Sequence, residues 1–215
     1  MITTKNNKMK KILYLILGII VLTSSCRNNE SEKKGSDIEQ NIEIKYLKII
    51  FTIPKSYLLV DNQSTRKELN RFEGKKTLTD AFLQSFRLLK EQKVHFTFLL
   101  DSLNMSNQIL FTENKEYVDF NKEFVPVYVN MLVTKFNESC QITNSTAKLI
   151  ENKYISGKDL KIIKTKFEVE NNDKRYFSTD YLVTTYNKTF KINILNENKE
   201  IDFRDEVKNI IAIRN

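Results

Sequence analysis

The segment from Lys5 to Cys26, KNNKMKKILYLILGIIVLTSSC, most constrains how this chain of 215 residues can fold, because it is not built to join a globular core. Four lysines precede an apolar run of eleven residues, Ile12–Leu22, and a short polar stretch follows. At a rise of about 1.5 Å per residue, this run spans only about half of a hydrocarbon layer roughly 30 Å thick. A basic head, a short apolar core and small residues before the end are the parts of a secretory signal peptide. We therefore expect residues 1–25 to be removed after export.

The end of this segment, Leu22-Thr23-Ser24-Ser25-Cys26, resembles the lipobox of bacterial lipoproteins. In that family signal peptidase II cuts before the cysteine, whose sulfur carries a diacylglycerol. Ser24 and Ser25 fit the small positions before the cysteine, whereas Thr23 stands where the family prefers Leu. The resemblance implies lipid attachment at Cys26 and anchoring to a membrane of the bacterial cell envelope, with the domain outside the cytoplasm. The alternative is an ordinary signal peptide that happens to end near a cysteine.

A polar segment, RNNESEKKGSDIEQ from Arg27 to Gln40, follows the cysteine and is nearly free of apolar residues. This composition is typical of a flexible tether. We therefore expect three regions: a signal peptide at 1–25, a lipidated cysteine and tether at 26–41, and one globular domain at 42–215.

The charge of the chain argues against nucleic acid as a partner. The net charge is +8, from 35 basic and 27 acidic residues. Four lysines and no acids lie in residues 1–25, so the mature chain carries +4, from 31 basic against 27 acidic residues. These charges are interspersed, whereas nucleic-acid binding normally requires a basic cluster interleaved with aromatic residues on one face. Another envelope protein or a small ligand is the partner we expect.

The chain has two cysteines and one histidine, which limits its chemistry. With Cys26 lipidated, Cys140 has no disulfide partner within the chain and is expected to be a buried apolar residue. A catalytic thiol at Cys140 would need a basic neighbour. The only histidine, His95, shares a strand face with polar Thr97, so we expect it at a solvent edge or in a hydrogen bond.

Apolar periodicity predicts strands and helices along the domain. A pair of strands is predicted across Ile42–Val60, with a turn at Pro54-Lys55-Ser56 and a returning strand at Tyr57–Val60. Further strands are predicted at Val94–Asp101, Gln108–Thr112 and Gln141–Asn152. A helix is predicted from Thr77 to Gln92, and another from Lys122 to Asn137 with the buried stripe Phe124, Tyr128, Met131, Leu132 and Phe136.

The C-terminal third has the clearest pattern. Residues 162–170 alternate, with Ile163, Thr165, Phe167 and Val169 on one face and Lys164, Lys166, Glu168 and Glu170 on the other. A long strand, Arg175–Tyr186, a turn at Asn187-Lys188 and a strand Thr189–Leu195 complete an antiparallel meander with one wet face. A last helix from Phe203 to Ile213 is predicted to bury Phe203, Val207, Ile210 and Ile211.

Strands that do not alternate strictly with helices indicate an α+β fold, an antiparallel sheet covered by helices. This order, with the closing segment IDFRDEVKNIIAI, resembles the α/β sandwich of the PsbP- and DcrB-like domains. Those domains are mostly accessory, adaptor or lipoprotein modules without a catalytic centre. The resemblance therefore implies a binding or adaptor role and assigns no residue a function.

Catalytic and cofactor motifs are missing from the sequence. The domain contains only Gly74 and Gly157, too few for a phosphate-binding loop or a dinucleotide fingerprint, and one histidine with one available cysteine does not make a usual zinc site. We therefore expect no catalytic residue, metal or cofactor, and a non-catalytic binding or adaptor domain. The alternative is an envelope-associated hydrolase that acts on a glycan or another polymer through two carboxylates brought together by the fold.

Overall fold

The computed structural model describes residues 38–60, 91, 93–104, 106–143, 145–157, 159–171 and 174–214. In these ranges the strands are β1 (Glu39–Ile44), β2 (Ile49–Pro54), β3 (Tyr57–Val60), β4 (Phe96–Asp101), β5 (Gln108–Glu113), β6 (Thr146–Ser156), β7 (Lys161–Asn171), β8 (Lys174–Thr184), β9 (Thr189–Asn196) and β10 (Ile211–Ala212). The helices are α1 (Val125–Thr143) and α2 (Arg204–Lys208), with short 3₁₀ turns at Lys45–Leu47 and Lys122–Phe124. The predicted signal peptide, Cys26 and, apart from residue 91, the predicted helix from Thr77 to Gln92 lie outside the described residues.

The described strands form two antiparallel sheets. The large sheet has the order β3-β4-β5-β9-β8-β7-β6, and the small sheet has the order β1-β2-β10. One apolar core fills the space between the two sheets, and a second core lies between the large sheet and α1. Side chains alternate across a strand, so the central strands of the large sheet supply residues to both cores. The prediction of an α+β sandwich is confirmed.

The small sheet differs from the predicted N-terminal hairpin. Strand β2 pairs with β1 and β10, whereas β3 pairs with β4 in the large sheet. The turn after Pro54 therefore carries the chain from one sheet to the other, and the prediction that β3 returns along β2 was wrong. Strand β1 begins at Glu39, so the last residues of the predicted tether lie in a strand.

Helix α1 covers the other face of the large sheet. Its buried side chains follow a four-residue spacing, Tyr128, Leu132, Phe136 and Cys140, and the ring of Phe136 stacks on Phe167 with centroids 4.1 Å apart. Met131 was predicted in this stripe, but it lies on the flank of the helix and is exposed. The helix continues to Thr143, so the strand predicted from Gln141 starts only at Thr146. Burial of Cys140 is confirmed.

Strand β7 was predicted to have a wet face, and this prediction was wrong for Lys164 and Lys166, although Glu170 at the end of the same face is exposed. Lys164 and Lys166 on that face are buried, with 1% and 3% of their surface exposed. Ile162 lies on the same face and is part of the core between the two sheets. Further along this face, the chain that follows β9 covers Lys166. The neighbouring β8–β9 hairpin formed as predicted, with Thr184 opposite Thr189.

The C-terminal segment is a short helix followed by a strand. Helix α2 ends at Lys208, and Ile211 then pairs with Ile50 in β2. Phe203, Val207 and Ile210 are buried as predicted, whereas Ile211 is 57% exposed. The continuous helix predicted to Ile213 was therefore wrong, because pairing with β2 draws the last residues into the small sheet.

Candidate functional site

An open cavity of about 780 Å³ lies where β1 begins, where β2 and β4 end, and where the chain enters α2. Its described lining carries six carboxylate side chains and one basic side chain, Arg204. The acidic residues are Glu39, Asp101, Glu200, Asp202, Asp205 and Glu206. This excess of negative charge makes the cavity suited to a cationic ligand.

The two sheets are held together at this cavity by a side chain of β1. The amide of Gln40 donates a hydrogen bond of 2.7 Å to the carbonyl oxygen of Tyr57 at the start of β3. Because β1 and β3 belong to different sheets, this bond links the two sheets beside the cavity. Glu39, next to Gln40, lines the cavity.

Apolar residues form part of the cavity lining. The rings of Tyr57 and Phe203 meet at 90° with centroids 5.4 Å apart. Ile38 and Leu103, which also line the cavity, are 54% and 66% exposed. The backbone of Phe203 is left-handed, with φ at 52°, a conformation that is strained for an aromatic residue. The site therefore combines carboxylates with an apolar surface.

Asp101 supports the loop that forms one side of the cavity. One carboxylate oxygen accepts a hydrogen bond from the backbone N–H of Leu103, and the other accepts one from the side-chain amide of Asn107, each at 3.0 Å. Asp101 is buried and both of its oxygens are engaged. We therefore regard it as a structural member of the lining.

Asp202 connects the cavity to the buried lysines of β7. Its Oδ2 atom lies 2.5 Å from Lys164 Nζ and 3.5 Å from Lys166 Nζ, and Lys164 also donates to Glu151 at 2.6 Å. Burial by itself would raise the pKa of Asp202, but the hydrogen bond and charge of Lys164, helped by Lys166, hold that pKa below its usual value. Asp202 is thus a paired carboxylate that stays ionised.

The pKa of Glu206 is shifted in the direction opposite to that of Asp202. Burial raises the pKa of Glu206, and the nearby charges of Asp205, Glu39 and Asp202 raise it further. The cavity therefore holds two carboxylates, Asp202 and Glu206, whose environments push their pKa values apart. Such a separation is also found in acid–base pairs of enzymes.

A second buried carboxylate lies under α1, away from the cavity. Asp180 accepts hydrogen bonds from Asn193 Nδ2 at 3.1 Å and from the Tyr128 hydroxyl at 3.5 Å. Burial raises the pKa of Asp180, although the charges of Lys191 and Lys135 oppose this shift. Both carboxylate oxygens of Asp180 accept hydrogen bonds from side chains of the protein itself, so we regard this cluster as structural.

The residues singled out from the sequence do not come together. Cys140 lies in the core beneath α1. His95 is at the solvent edge, as predicted, with its Nδ1 atom 2.8 Å from Glu113 Oε2, and its ring is near Tyr46, which packs on the opposite core. In the part of the chain that the structure describes, no group of three or more His, Cys, Asp or Glu side chains could hold a metal ion. Nor does any described helix have the length and apolar character needed to cross a membrane.

The cavity acids were missed from the sequence, although one signal was present. Four of them lie within seven consecutive residues, EIDFRDE at 200–206, which is an unusual density of acids for this chain. Glu39 and Asp101 gave no such signal, since each is a single acid at the end of a strand.

Comparison with known proteins supports the fold. No protein-family model matches the chain, and no curated protein matches its sequence significantly. The solution structure of cyanobacterial PsbP (CyanoP) from Synechocystis sp. PCC 6803 is similar, with a TM-score of 0.56 and 11% sequence identity over 86% of this chain and 98% of that chain. The PsbP-like fold expected from the order of elements is therefore confirmed, and at this identity the similarity concerns the fold alone.

Proposed function

We propose that this protein is a lipoprotein of the bacterial cell envelope, anchored through Cys26, whose domain binds a cationic partner without catalysis. The N-terminal sequence supports the anchor, and the acidic cavity is the observation that carries the binding role. PsbP-like folds are compatible with such accessory domains.

The lining of the cavity indicates the chemistry of the ligand. The lining has an excess of negative charge even after its ion pairs are counted. Asp202 is paired with Lys164 and Lys166, and Asp205 lies 3.5 Å from both Arg204 and Lys208. The excess therefore rests mainly on Glu39, Glu200 and Glu206. Lysine and arginine side chains have apolar stems that pack on aromatic and aliphatic surfaces while their charged ends remain available. A basic, partly apolar segment of another envelope protein therefore fits the cavity better than an anionic ligand or a purely apolar one.

A binding measurement tests this proposal. We would use a form of the protein that starts at Arg27, which lacks Cys26 and keeps all of β1. It would be titrated with the peptide acetyl-Lys-Leu-Lys-amide at low and high salt. Binding should weaken as salt screens the carboxylates. Glu39→Gln should weaken it about two- to fivefold, the effect of one partly solvated charge.

Glu43→Gln is the matched control. Glu43 lies on the same strand, is exposed and is not part of the cavity lining. Equal effects of the two substitutions, or binding that is insensitive to salt, would contradict the role of the cavity. Co-purification of one envelope protein in fixed stoichiometry would identify the natural partner.

A hydrolase that uses two carboxylates remains the second candidate, because Asp202 and Glu206 differ in the direction of their pKa shifts. In that case Glu206 would be the proton donor and Asp202 the ionised group. The test is release of reducing ends from isolated envelope glycans by the wild type and by Glu206→Gln. Release that depends on Glu206 would favour the hydrolase, and equal background release from both proteins would exclude this pair.

A further inference from the structure

One wall of the acidic cavity lies between the cavity and buried polar side chains of the large sheet, which include Lys164 and Lys166. We call residues 197–206 the wall segment. Its outer side supplies Glu200, Asp202, Asp205 and Glu206 to the cavity. Its inner side covers Lys166 and other polar side chains of β7, β8 and β9.

The wall segment is attached to the sheet by side chains. Residues 197–203 belong to no strand, so no ladder of backbone hydrogen bonds holds them. Four buried side chains of the large sheet donate hydrogen bonds to the segment instead. The bonds run from Asn196 Nδ2 to the Ile201 carbonyl at 2.6 Å, from the Tyr181 hydroxyl to the Asp202 carbonyl at 2.8 Å, from Lys164 Nζ to Asp202 Oδ2 at 2.5 Å, and from Lys166 Nζ to the Lys199 carbonyl.

Two features of the wall segment in its observed position are energetically unfavourable. Thr179 Oγ1 and Asn196 Oδ1 are fully buried and have no hydrogen-bond partner among the described residues, and Asn196 is one of the side chains that hold the segment. Thr179 lies directly opposite Lys166 in the sheet, on the same face. Phe203, at the end of the loop, has its strained left-handed backbone. Unmet polar groups and strain of this kind both oppose closure and would be relieved if the segment lifted.

We propose that the wall segment has two positions and that the ion pair between Lys164 and Asp202 is the latch that holds it closed. In the closed position the carboxylates of the wall face Glu39 and Asp101 across one cavity. Lifting the segment would separate these two groups of charges. A cation that contacts both sides therefore binds the closed position better, and binding and closure favour each other.

Hydrogen exchange on the full chain in detergent tests the latch without any ligand. Lys164→Met keeps the length of the side chain and removes its charge. We expect amide exchange at Ile201, Arg204 and Val207 to become at least about tenfold faster, while Leu182 in the centre of β8 keeps its protection. Lys161→Met is the control, since it removes the same charge, and the ion pair with Asp119, from a half-buried position on the same strand.

A second variant covers the case in which loss of Lys164 unfolds the protein. Tyr181→Phe removes only the hydroxyl that binds the Asp202 carbonyl and keeps the buried ring. It should raise exchange at the same amides by a smaller factor. Unchanged exchange in Tyr181→Phe, or in a folded Lys164→Met, would overturn the proposal, as would an equal rise at Leu182.

The effect on ligand binding rests on the proposed function and is measured separately. With the peptide acetyl-Lys-Leu-Lys-amide, we expect Tyr181→Phe, which leaves the charges of the cavity unchanged, to bind more weakly than the wild type. If the wild type does not bind the peptide but exchange rises as expected, the latch stands and the proposed cationic ligand is rejected. If the wild type binds and Tyr181→Phe binds equally well although its exchange at the wall segment is faster, binding and closure are not coupled and the proposal fails.

Discussion

Two residues near the C-terminus offer a direct test of the fold, because the sequence places both on one buried helical stripe and the structure separates them. Val207 is fully buried in the core between the sheets, and Ile211 is 57% exposed in β10. Val207→Ala removes two methyl groups, each contributing about 0.8 kcal/mol, and leaves a cavity, so it should cost about 2–3 kcal/mol. Ile211→Ala should change the free energy of unfolding by less than about 0.5 kcal/mol.

Urea unfolding followed by circular dichroism measures both effects. With a slope of about 2 kcal/mol per molar, Val207→Ala should lower the midpoint by roughly 1 M and leave the slope unchanged. Ile211→Ala serves as the matched control, since it deletes a larger side chain. Equal shifts for the two variants would show that the helix continues through Ile211 and that the pairing of β10 with β2 is wrong.

Three further predictions concern the C-terminal segment, Asp180 and Cys26. A chain that ends at Asp202 should lose cooperative unfolding, because it lacks three buried side chains contributing about 1.5–3 kcal/mol each, whereas a chain that ends at Ile213 should melt like the wild type. Asp180 has a raised pKa, so its contribution to stability is present below the unfolded pKa of about 3.9 and is lost as pH rises through the folded value. The melting temperature of Asp180→Asn should therefore rise relative to that of the wild type as pH increases from about 4. A difference between the two melting temperatures that does not change with pH would contradict this prediction. Cys26→Ala should abolish acyl mass on the intact protein and its retention in the membrane fraction, and identical behaviour of both forms would refute lipidation.

Local patterns in the sequence were sufficient to predict most of the strands and the α+β class. The alternation of side chains along β4, β5, β7, β8 and β9 is a property of consecutive residues and needs no partner. The Asn187-Lys188 turn and the start of α1 near Lys122 are equally local. Lipidation at Cys26 is also an inference from sequence alone and remains a prediction, as does the tether.

Only the tertiary structure decided which surfaces meet. The alternation of side chains shows that Lys164 and Ile162 lie on one face of β7. Whether that face is buried depends on the small sheet and the wall segment, which are formed by other parts of the chain. In the same way, residues 211–212 form strand β10 because their backbone pairs with the edge of β2 that β1 does not occupy. The cavity joins Glu39 from the first described strand to Glu206 from the last described helix. Its charge therefore arises from long-range packing, which residue spacing along the chain does not encode.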